Sequence, residues 1–264
     1  MLAQLMTDPG DGGGFHPPTV KEFFPAPVVD GAPFWLTRFP ILVWIAVAAI
    51  IIYFLVAYRD PKLVPTKKQW IAESIYGFAR NSIAKDMIGH EGIRFAPYLA
   101  TLFVFIAATN FFAILPGVQM SPNAHIAFPL VLGLLSYIVF IAAGIKKNGA
   151  GKFFKNHLMP PAPWFMQPLL IPIEFISTFV ARPLTLALRL FANMFAGHMI
   201  LVVFTMGGFA LIGAQNFLLK PIGVLSWAMA IALTFLEMMV IVLQAYIFSV
   251  LSASYIGGAL ADEH

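Results

Sequence analysis

The sequence predicts an all-α polytopic membrane protein with about five membrane crossings, one interfacial amphipathic helix and a final antiparallel pair of long, steeply tilted helices. The 264-residue chain is 60% hydrophobic and only 11% charged, whereas soluble domains carry about 25% charged residues. Several uncharged stretches are long enough to span the ~30 Å hydrocarbon core of a bilayer. The basic residues collect in two of the loops between those stretches.

The N-terminal part of the chain divides into a polar tail and a first span. Residues 1–34 are predicted to form an extracytoplasmic tail, because they are rich in Gly and Pro and lack the apolar core of a signal peptide. Residues 35–264 then form a single membrane domain. Residues 39–58 carry no charge between Arg38 and Arg59. They are long enough to cross the hydrocarbon core and are the predicted first span.

The segment 66–88 is predicted to form an amphipathic helix. Ile71, Ile75 and Phe78 recur at helical spacing, and Glu73 lies elsewhere on the same helical wheel. This pattern is typical of a helix that lies in the membrane interface. It is equally typical of a cytoplasmic connector helix packed on protein, so both interpretations stay open here.

The middle of the chain contains room for two further spans. Residues 95–145 contain no Asp, Glu, Lys or Arg. Proline, glycine and asparagine near the centre of this stretch are breakers of regular structure. The predicted spans are therefore 97–115 and 126–145, and a basic loop over 146–167 follows them.

Two long apolar stretches, 168–206 and 222–260, complete the chain, with Gly207-Gly208 and Lys220-Pro221 bracketing the predicted turn. As a helix, each stretch would be about 58 Å long. A ~30 Å hydrocarbon core cannot hold such a helix upright, so the helices must tilt steeply or break. Pro183 predicts a kink in the first of them.

The distribution of lysine and arginine predicts the orientation. The loop 59–94 carries seven of these residues and the loop 146–157 carries four, whereas the loops near 116–125 and 207–221 carry none and one. Basic loops stay on the cytoplasmic side of the membrane. Five crossings then place the N-terminus outside and the C-terminus in the cytoplasm.

Arg189 is the residue whose position most needs an explanation. An arginine deep in a membrane costs at least ~3 kcal/mol to insert, and its guanidinium cannot escape the cost by losing a proton. Glu174 lies about 22 Å back along an unbroken helix, too far to pair with it. The alternative partner is Glu237 on the last helix, which would make Arg189 part of an internal salt bridge. We expect instead that Arg189 is functional.

The register of the final hairpin predicts two polar pairs at different depths. In an antiparallel hairpin, the numbers of any two facing residues add up to nearly the same value. This rule pairs Arg189 with Gln244 and His198 with Glu237. Arg189 shares a helix face with Asn193, whereas His198 points the opposite way. A histidine beside a glutamate can pass on a proton near neutral pH. The plainer alternative is that the pair only hydrogen-bonds the two helices together.

Two charged residues lie nearer the predicted cytoplasmic end of the hairpin. Arg182 is expected to extend its charged group towards the membrane surface. Glu174 is either structural or lines an inner vestibule. The chain has no cysteine, and we expect no metal, cofactor or nucleic-acid partner. It has no glycine-rich loop ending in Lys-Ser/Thr, so nucleotide chemistry is not expected of the chain by itself.

The run LRLFANMFAGH at Leu188–His198, followed by Glu237 and by QAYIF at Gln244–Phe248, resembles the a subunit of the membrane sector, FO, of bacterial F-type ATP synthases. The likeness covers at least residues 95–260, and the proline-rich tail and loops suggest an actinobacterial member. It implies a multi-pass stator subunit in the bacterial plasma membrane. The implied partners are the c-subunit ring, peripheral-stalk b subunits, the remaining synthase subunits and membrane lipid.

The resemblance also implies roles for particular residues. Arg189 would face the carboxylate of each ring subunit, keep it ionised and block a direct leak between two offset proton half-channels. Gln244 and Asn193 would support Arg189. His198 and Glu237 would line the outer half-channel, through which protons enter.

The sequence departs from the family pattern at three places. Ala192 stands where glycine is common, and some relatives carry the acid and the histidine of the outer pair in swapped positions. Glu174, the candidate inner carboxylate of the proton path, lies one residue farther from Pro183 than the usual acidic position. This extra residue predicts a one-residue bulge in the helix between them.

A second class of function is an ion-coupled secondary transporter of a small anion, with Arg189 as the cation that binds the substrate. Solute uptake by the purified chain alone would favour it, whereas dependence on a partner ring would favour the rotary subunit. The sequence shows no internal inverted repeat, which weighs against the common architecture of such transporters. An assembly scaffold with buried polar contacts is the third alternative.

Overall fold

The computed structural model describes residues 37–115, 118, 120–153, 166–213 and 217–260. Within these ranges every regular element is helical. Five helices are long and apolar enough to cross a membrane: Arg38–Ala57, His90–Phe111, Ala127–Asn148, Gln167–Gly213 and Lys220–Leu260. The predicted all-α polytopic fold is therefore confirmed. The predicted N-terminal tail, residues 1–34, lies outside the described residues.

The first helix, α1 (Arg38–Ala57), lies at the margin of the bundle. Phe39 and Ala46 are buried, whereas Trp44 and Leu55 are more than two-thirds exposed. An exposed apolar side chain of a membrane helix avoids water by contact with lipid or with another protein, so the exposed surface of this helix suits either of them.

Helix α2 (Lys67–Phe78) begins at Thr66, whose side chain accepts a hydrogen bond from the backbone N–H of Gln69. Trp70 and Ile71 are exposed on this helix. The chain then continues through a π segment (Ala79–Lys85), a short helix α3 (Asp86–Ile88) and a 3₁₀ segment (His90–Phe95). Helix α4 (Ala96–Phe111) follows directly.

The π segment after α2 packs on protein rather than lying free in the interface. Its residues Ile83 and Ala84 are fully buried and form one core cluster with Leu99 of α4 and Ala253. The sequence left open an interfacial helix and a connector helix packed on protein, and each description fits one part of the amphipathic region. Its first turns expose apolar side chains, and its last turns join the protein core.

Helix α5 (Ala127–Asn148) ends where Gly149 adopts a φ of 76°. Its last turn contacts the C-terminal end of the bundle. Lys147 Nζ donates a 2.7 Å hydrogen bond to the carbonyl of Leu260, and Asn148 Nδ2 donates a 3.3 Å bond to the carbonyl of Ala259. These donors satisfy carbonyl groups that have no partner within their own helix.

The last two spans form the long hairpin. The first comprises α6 (Gln167–Phe175), a π segment (Ile176–Ala181) and α7 (Arg182–Gly213), and the second is α8 (Lys220–Leu260). The predicted one-residue bulge between Glu174 and Pro183 is confirmed, because a π turn accommodates one residue more than an α turn. The 47-residue and 41-residue spans are both far longer than a ~30 Å hydrocarbon core requires.

The turn of the hairpin lies later than the sequence predicts. Helix α7 continues through Gly207-Gly208 and ends at Gly213. A Cβ built on Gly208 would collide with the Trp227 ring and lie 3.2 Å from the carbonyl oxygen of Gly223. The glycine at position 208 therefore allows the two helices to pack closely and does not form a turn. For this reason the expected end of the helix at residue 206 is wrong.

Candidate functional site

Helices α7 and α8 are packed antiparallel, and their contacts define the level of each polar residue. Ser226 Oγ donates a 2.7 Å hydrogen bond to the carbonyl of Phe204 near the turn. Farther from the turn, the side chain of Glu237 lies against Gly197. These contacts follow the register from which the sequence pairs His198 with Glu237.

Glu237 is the most unusual buried group of the hairpin. The residue is 5% exposed, and neither of its carboxyl oxygens has a hydrogen-bond partner among the described residues. A buried carboxyl group without partners costs free energy, in its charged form above all. Buried polar atoms are otherwise almost always paired, so the unpartnered carboxyl group of Glu237 needs a physical explanation.

The structure brings His198 to the same level as Glu237. His198 is 6% exposed and directly follows Gly197. The Glu237 carboxyl group faces Gly197, and a Cβ built on Gly197 would lie 3.1 Å from Glu237 Oε1. Two ionisable side chains from facing helices are thus buried in one layer of the hairpin. Such a layer is able to hold and release protons.

Arg189 has no counter-ion among the residues that the structure describes. It is exposed on the surface of α7, beside Leu184 and Leu188, which are about 40% exposed. It makes no ion pair or hydrogen bond with any residue that the structure describes. The internal salt bridge to Glu237 that the sequence left open is therefore absent from the described part of the chain.

The two amide residues near Arg189 occupy different environments. Asn193, one helical turn from Arg189, is half-buried. Gln244 is 5% exposed. No hydrogen bond joins Arg189 to Gln244 in the described part of the chain. The pairing of these two residues by the hairpin register therefore stays a prediction.

Glu174 is held by a neighbour in the π segment. It is half-buried and accepts a 3.2 Å hydrogen bond from Thr178 Oγ1. Thr178 itself is fully buried. Glu174 lies on α6, far along the hairpin from the layer of His198 and Glu237, so the candidate proton-path residues form two separate groups.

Arg182 packs between aromatic rings. Its guanidinium carbon lies 5.7 Å from the centroid of the Phe140 ring and 5.5 Å from that of Tyr255. The faces of these rings attract its charge by cation–π interaction. The expectation that Arg182 extends towards the membrane surface stays a prediction. Sequence reasoning had no signal for the Phe140 contact, since Phe140 lies on α5, outside the hairpin.

A buried polar network at the start of α5 was also missed. Asn123 Nδ2 donates to Thr109 Oγ1 at 2.8 Å and to Asn110 Oδ1 at 2.7 Å. Ser121 Oγ donates to the carbonyl of Thr109 at 3.1 Å. From the sequence, Ser121 and Asn123 are only turn residues between two spans. Their burial, at 1% exposed each, depends on tertiary packing.

Within the described ranges, no group of three or more His, Asp or Glu side chains comes together as a metal site would require. The chemistry that this arrangement supports is proton transfer between carboxyl and imidazole groups.

The fold and the site define an α-helical multi-pass membrane protein whose long hairpin carries a buried acid–histidine layer and a separate arginine with no counter-ion in the described part of the chain. The sequence profile of the family "ATP synthase A chain" matches residues 40–257. The chain therefore belongs to the ATP synthase A chain family.

Several relatives support this membership over nearly the whole chain. ATP synthase subunit a of Pseudarthrobacter chlorophenolicus is 44% identical over 258 residues, which cover 96% of this chain and 97% of the relative. The subunit a of a Nocardioides species is 39% identical over 268 residues, covering 96% of each chain. That of a Parafrankia species is 44% identical over 255 residues, covering 94% of this chain and 85% of the relative. These relatives are actinobacterial, as the sequence suggested.

Proposed function

We propose that this chain is the proton-translocating stator subunit of a rotary ATP synthase. It provides two offset half-channels to the carboxylates of a rotating c-subunit ring, and Arg189 separates the two. Each ring carboxylate receives a proton from the outer half-channel and releases it to the inner one after nearly a full turn.

The observation that carries this proposal is that Arg189 has no ion-pair partner among the described residues. A permanent cation on an apolar membrane surface has a large free-energy cost unless another molecule supplies the negative charge. A ring of identical subunits, each with one carboxylate, supplies such a charge repeatedly. The guanidinium lowers the free energy of the ionised carboxylate as it passes. It also prevents a proton from moving straight between the half-channels.

The outer half-channel is assigned to His198 and Glu237. Glu237 is buried with both oxygens unpartnered among the described residues, so it has free hydrogen-bonding capacity for water or a proton donor. Asn193 lies between this layer and Arg189 along α7, whereas the hairpin register pairs Gln244 with Arg189, and both amides support the arginine. Glu174 is assigned to the inner half-channel, at the other end of the proton path.

Orientation and partners follow from the same proposal. The basic loops lie in the cytoplasm of a bacterial cell, the chain spans the plasma membrane, and the N-terminus is outside. The exposed apolar surface of α1 suits contact with lipid or with the membrane helix of a peripheral-stalk b subunit. The other synthase subunits assemble on these elements.

The test is Arg189→Ala in the complete synthase, reconstituted in proteoliposomes with an imposed proton gradient. We expect ATP synthesis to fall by about 100-fold or more, because the electrostatic stabilisation of the transferring group is lost. Leu188→Ala is the matched control, since it truncates an exposed neighbour on the same helix without removing a charge. Normal proton-driven synthesis by the assembled Arg189→Ala complex would refute the proposal.

A further inference from the structure

The π segment Ile176–Ala181 separates Glu174 from Arg182, and the proposed function alone gives no reason for it. Arg182 and Arg189 are seven residues apart and therefore share a helix face to within about 20°. Glu174 is eight residues before Arg182. In a continuous α-helix this spacing would turn Glu174 about 80° away from that face.

A π turn takes up one additional residue compared with an α turn. The spacing from Glu174 to Arg182 is then equivalent to about seven α-helical residues, which brings Glu174 back to within about 20° of the arginine face. The segment Ile176–Ala181 therefore aligns Glu174 with both Arg182 and Arg189 along one side of the helix.

Thr178, inside the π segment, makes an unusual hydrogen bond. Three other helical threonines donate to a backbone carbonyl four residues earlier, at 2.8 to 2.9 Å: Thr101 to Pro97, Thr109 to Phe105 and Thr234 to Ala230. That backbone bond is the ordinary choice for a threonine within a helix. Thr178 instead donates to the side-chain Oε1 of Glu174, at 3.2 Å, although it is fully buried.

We propose that the π segment and Thr178 together position the Glu174 carboxylate for proton release through the inner half-channel. The π turn sets the direction of the side chain, and the Thr178 hydroxyl fixes one carboxyl oxygen. The second oxygen then stays in one place for proton exchange with water. Thr178 is a positioning residue, since it acts through Glu174. This inference rests on the proposed function and assigns a new role within it.

Point variants test the hydroxyl. Thr178→Val keeps the shape of the side chain without the donor, and Thr178→Ser keeps the donor. Passive proton conduction through FO is measured in vesicles carrying the complete membrane sector. We expect Thr178→Val to conduct about three- to tenfold more slowly, which is the size expected for the loss of one typical intramolecular hydrogen bond. Thr178→Ser should restore the rate. In a Glu174→Gln background, Thr178→Val should cause no further loss.

Length variants test the register. Deletion of Val180, which is exposed, leaves the spacing of Glu174 and Thr178 unchanged and removes the extra residue. The helix then becomes regular with Glu174 still on the arginine face, so conduction should stay within about twofold of wild type. Insertion of one alanine after Val180 turns Glu174 about 100° away. This variant should conduct as slowly as Glu174→Gln.

Four outcomes would overturn the inference: wild-type conduction by Thr178→Val, failure of Thr178→Ser to restore it, a further loss in the Glu174→Gln background, or equal rates for the deletion and the insertion. Loss of assembly in Thr178→Val but not Thr178→Ser would also overturn it, because the hydroxyl would then be structural. The Arg189→Ala result is independent of all these variants. A failed positioning role and a failed proton-channel function are therefore distinguishable.

Discussion

Glu237 of α8 lies against Gly197 of α7, at the one position in that turn where α7 carries no side chain. A Cβ built on Gly197 would lie 3.1 Å from Oε1 and 3.5 Å from the carboxyl carbon of Glu237. The carboxyl group thus occupies the space that any other residue at 197 would partly fill. Neither oxygen has a hydrogen-bond partner among the described residues.

Gly197→Ala should therefore slow proton conduction without preventing assembly. The added methyl group forces the Glu237 carboxyl group to move by a few tenths of an ångström, and we expect a loss of about two- to tenfold, since proton transfer is sensitive to small displacements. Gly207→Ala is the matched control, because a Cβ there meets no atom within 4 Å. Equal conduction by the two variants would show that the contact has no role in transfer.

Asn123 should be a stability residue of the membrane domain. It donates to both Thr109 Oγ1 and Asn110 Oδ1, so Asn123→Ala leaves buried acceptors without their donor. We expect a loss of about 1–3 kcal/mol in the free energy of unfolding, measured as a lower melting temperature of the purified protein in detergent. Asn81→Ala, at an exposed position, should leave the melting temperature unchanged. A neutral Asn123→Ala would contradict the proposed importance of the network.

The sequence predicts the spans because their signal is local. Long runs without charge identify a membrane helix regardless of its neighbours, and the extra residue between Glu174 and Pro183 was visible as a spacing. Gly207-Gly208 misled the prediction, because a glycine that ends a helix and a glycine that allows close packing look the same in one sequence. The collision of a Gly208 Cβ with the Trp227 ring depends on how closely the two helices approach each other, and sequence spacing does not specify that distance.

The site was predictable to a similar extent. The level shared by His198 and Glu237 follows from the hairpin register alone. The contact of Arg182 with Phe140 does not, because Phe140 belongs to another span and its ring direction is set by packing. The network around Asn123 was missed for the same reason. Contacts between spans outside the hairpin need tertiary information, whereas the level shared by two residues of the hairpin needs only its register.

Arg182 and Tyr255 should be energetically coupled. The guanidinium carbon lies 5.5 Å from the Tyr255 ring centroid, so Arg182→Met and Tyr255→Leu each remove one partner of a cation–π contact. We expect the double-mutant cycle to give a coupling of about 0.5–2 kcal/mol in thermal stability. Tyr255→Phe keeps the ring and should retain the coupling. Strictly additive effects of Arg182→Met and Tyr255→Leu would exclude it.

His125 should make the stability of the protein depend on pH. The residue lies between α4 and α5, its ring centroid is 5.7 Å from that of Phe39, and its Nδ1 accepts a 3.4 Å hydrogen bond from the backbone N–H of Ala127.

Burial lowers the pKa of His125 from its ordinary value of 6.5, so the folded protein favours the neutral ring. As the pH falls below about 6.5, the unfolded chain binds this proton more readily than the folded one, and stability decreases. The melting temperature should therefore fall between about pH 7.5 and pH 5.5, and His125→Phe should reduce that fall. His90→Gln, at an exposed position, is the control and should keep the wild-type slope. An unchanged slope in His125→Phe would assign the acid sensitivity to other groups.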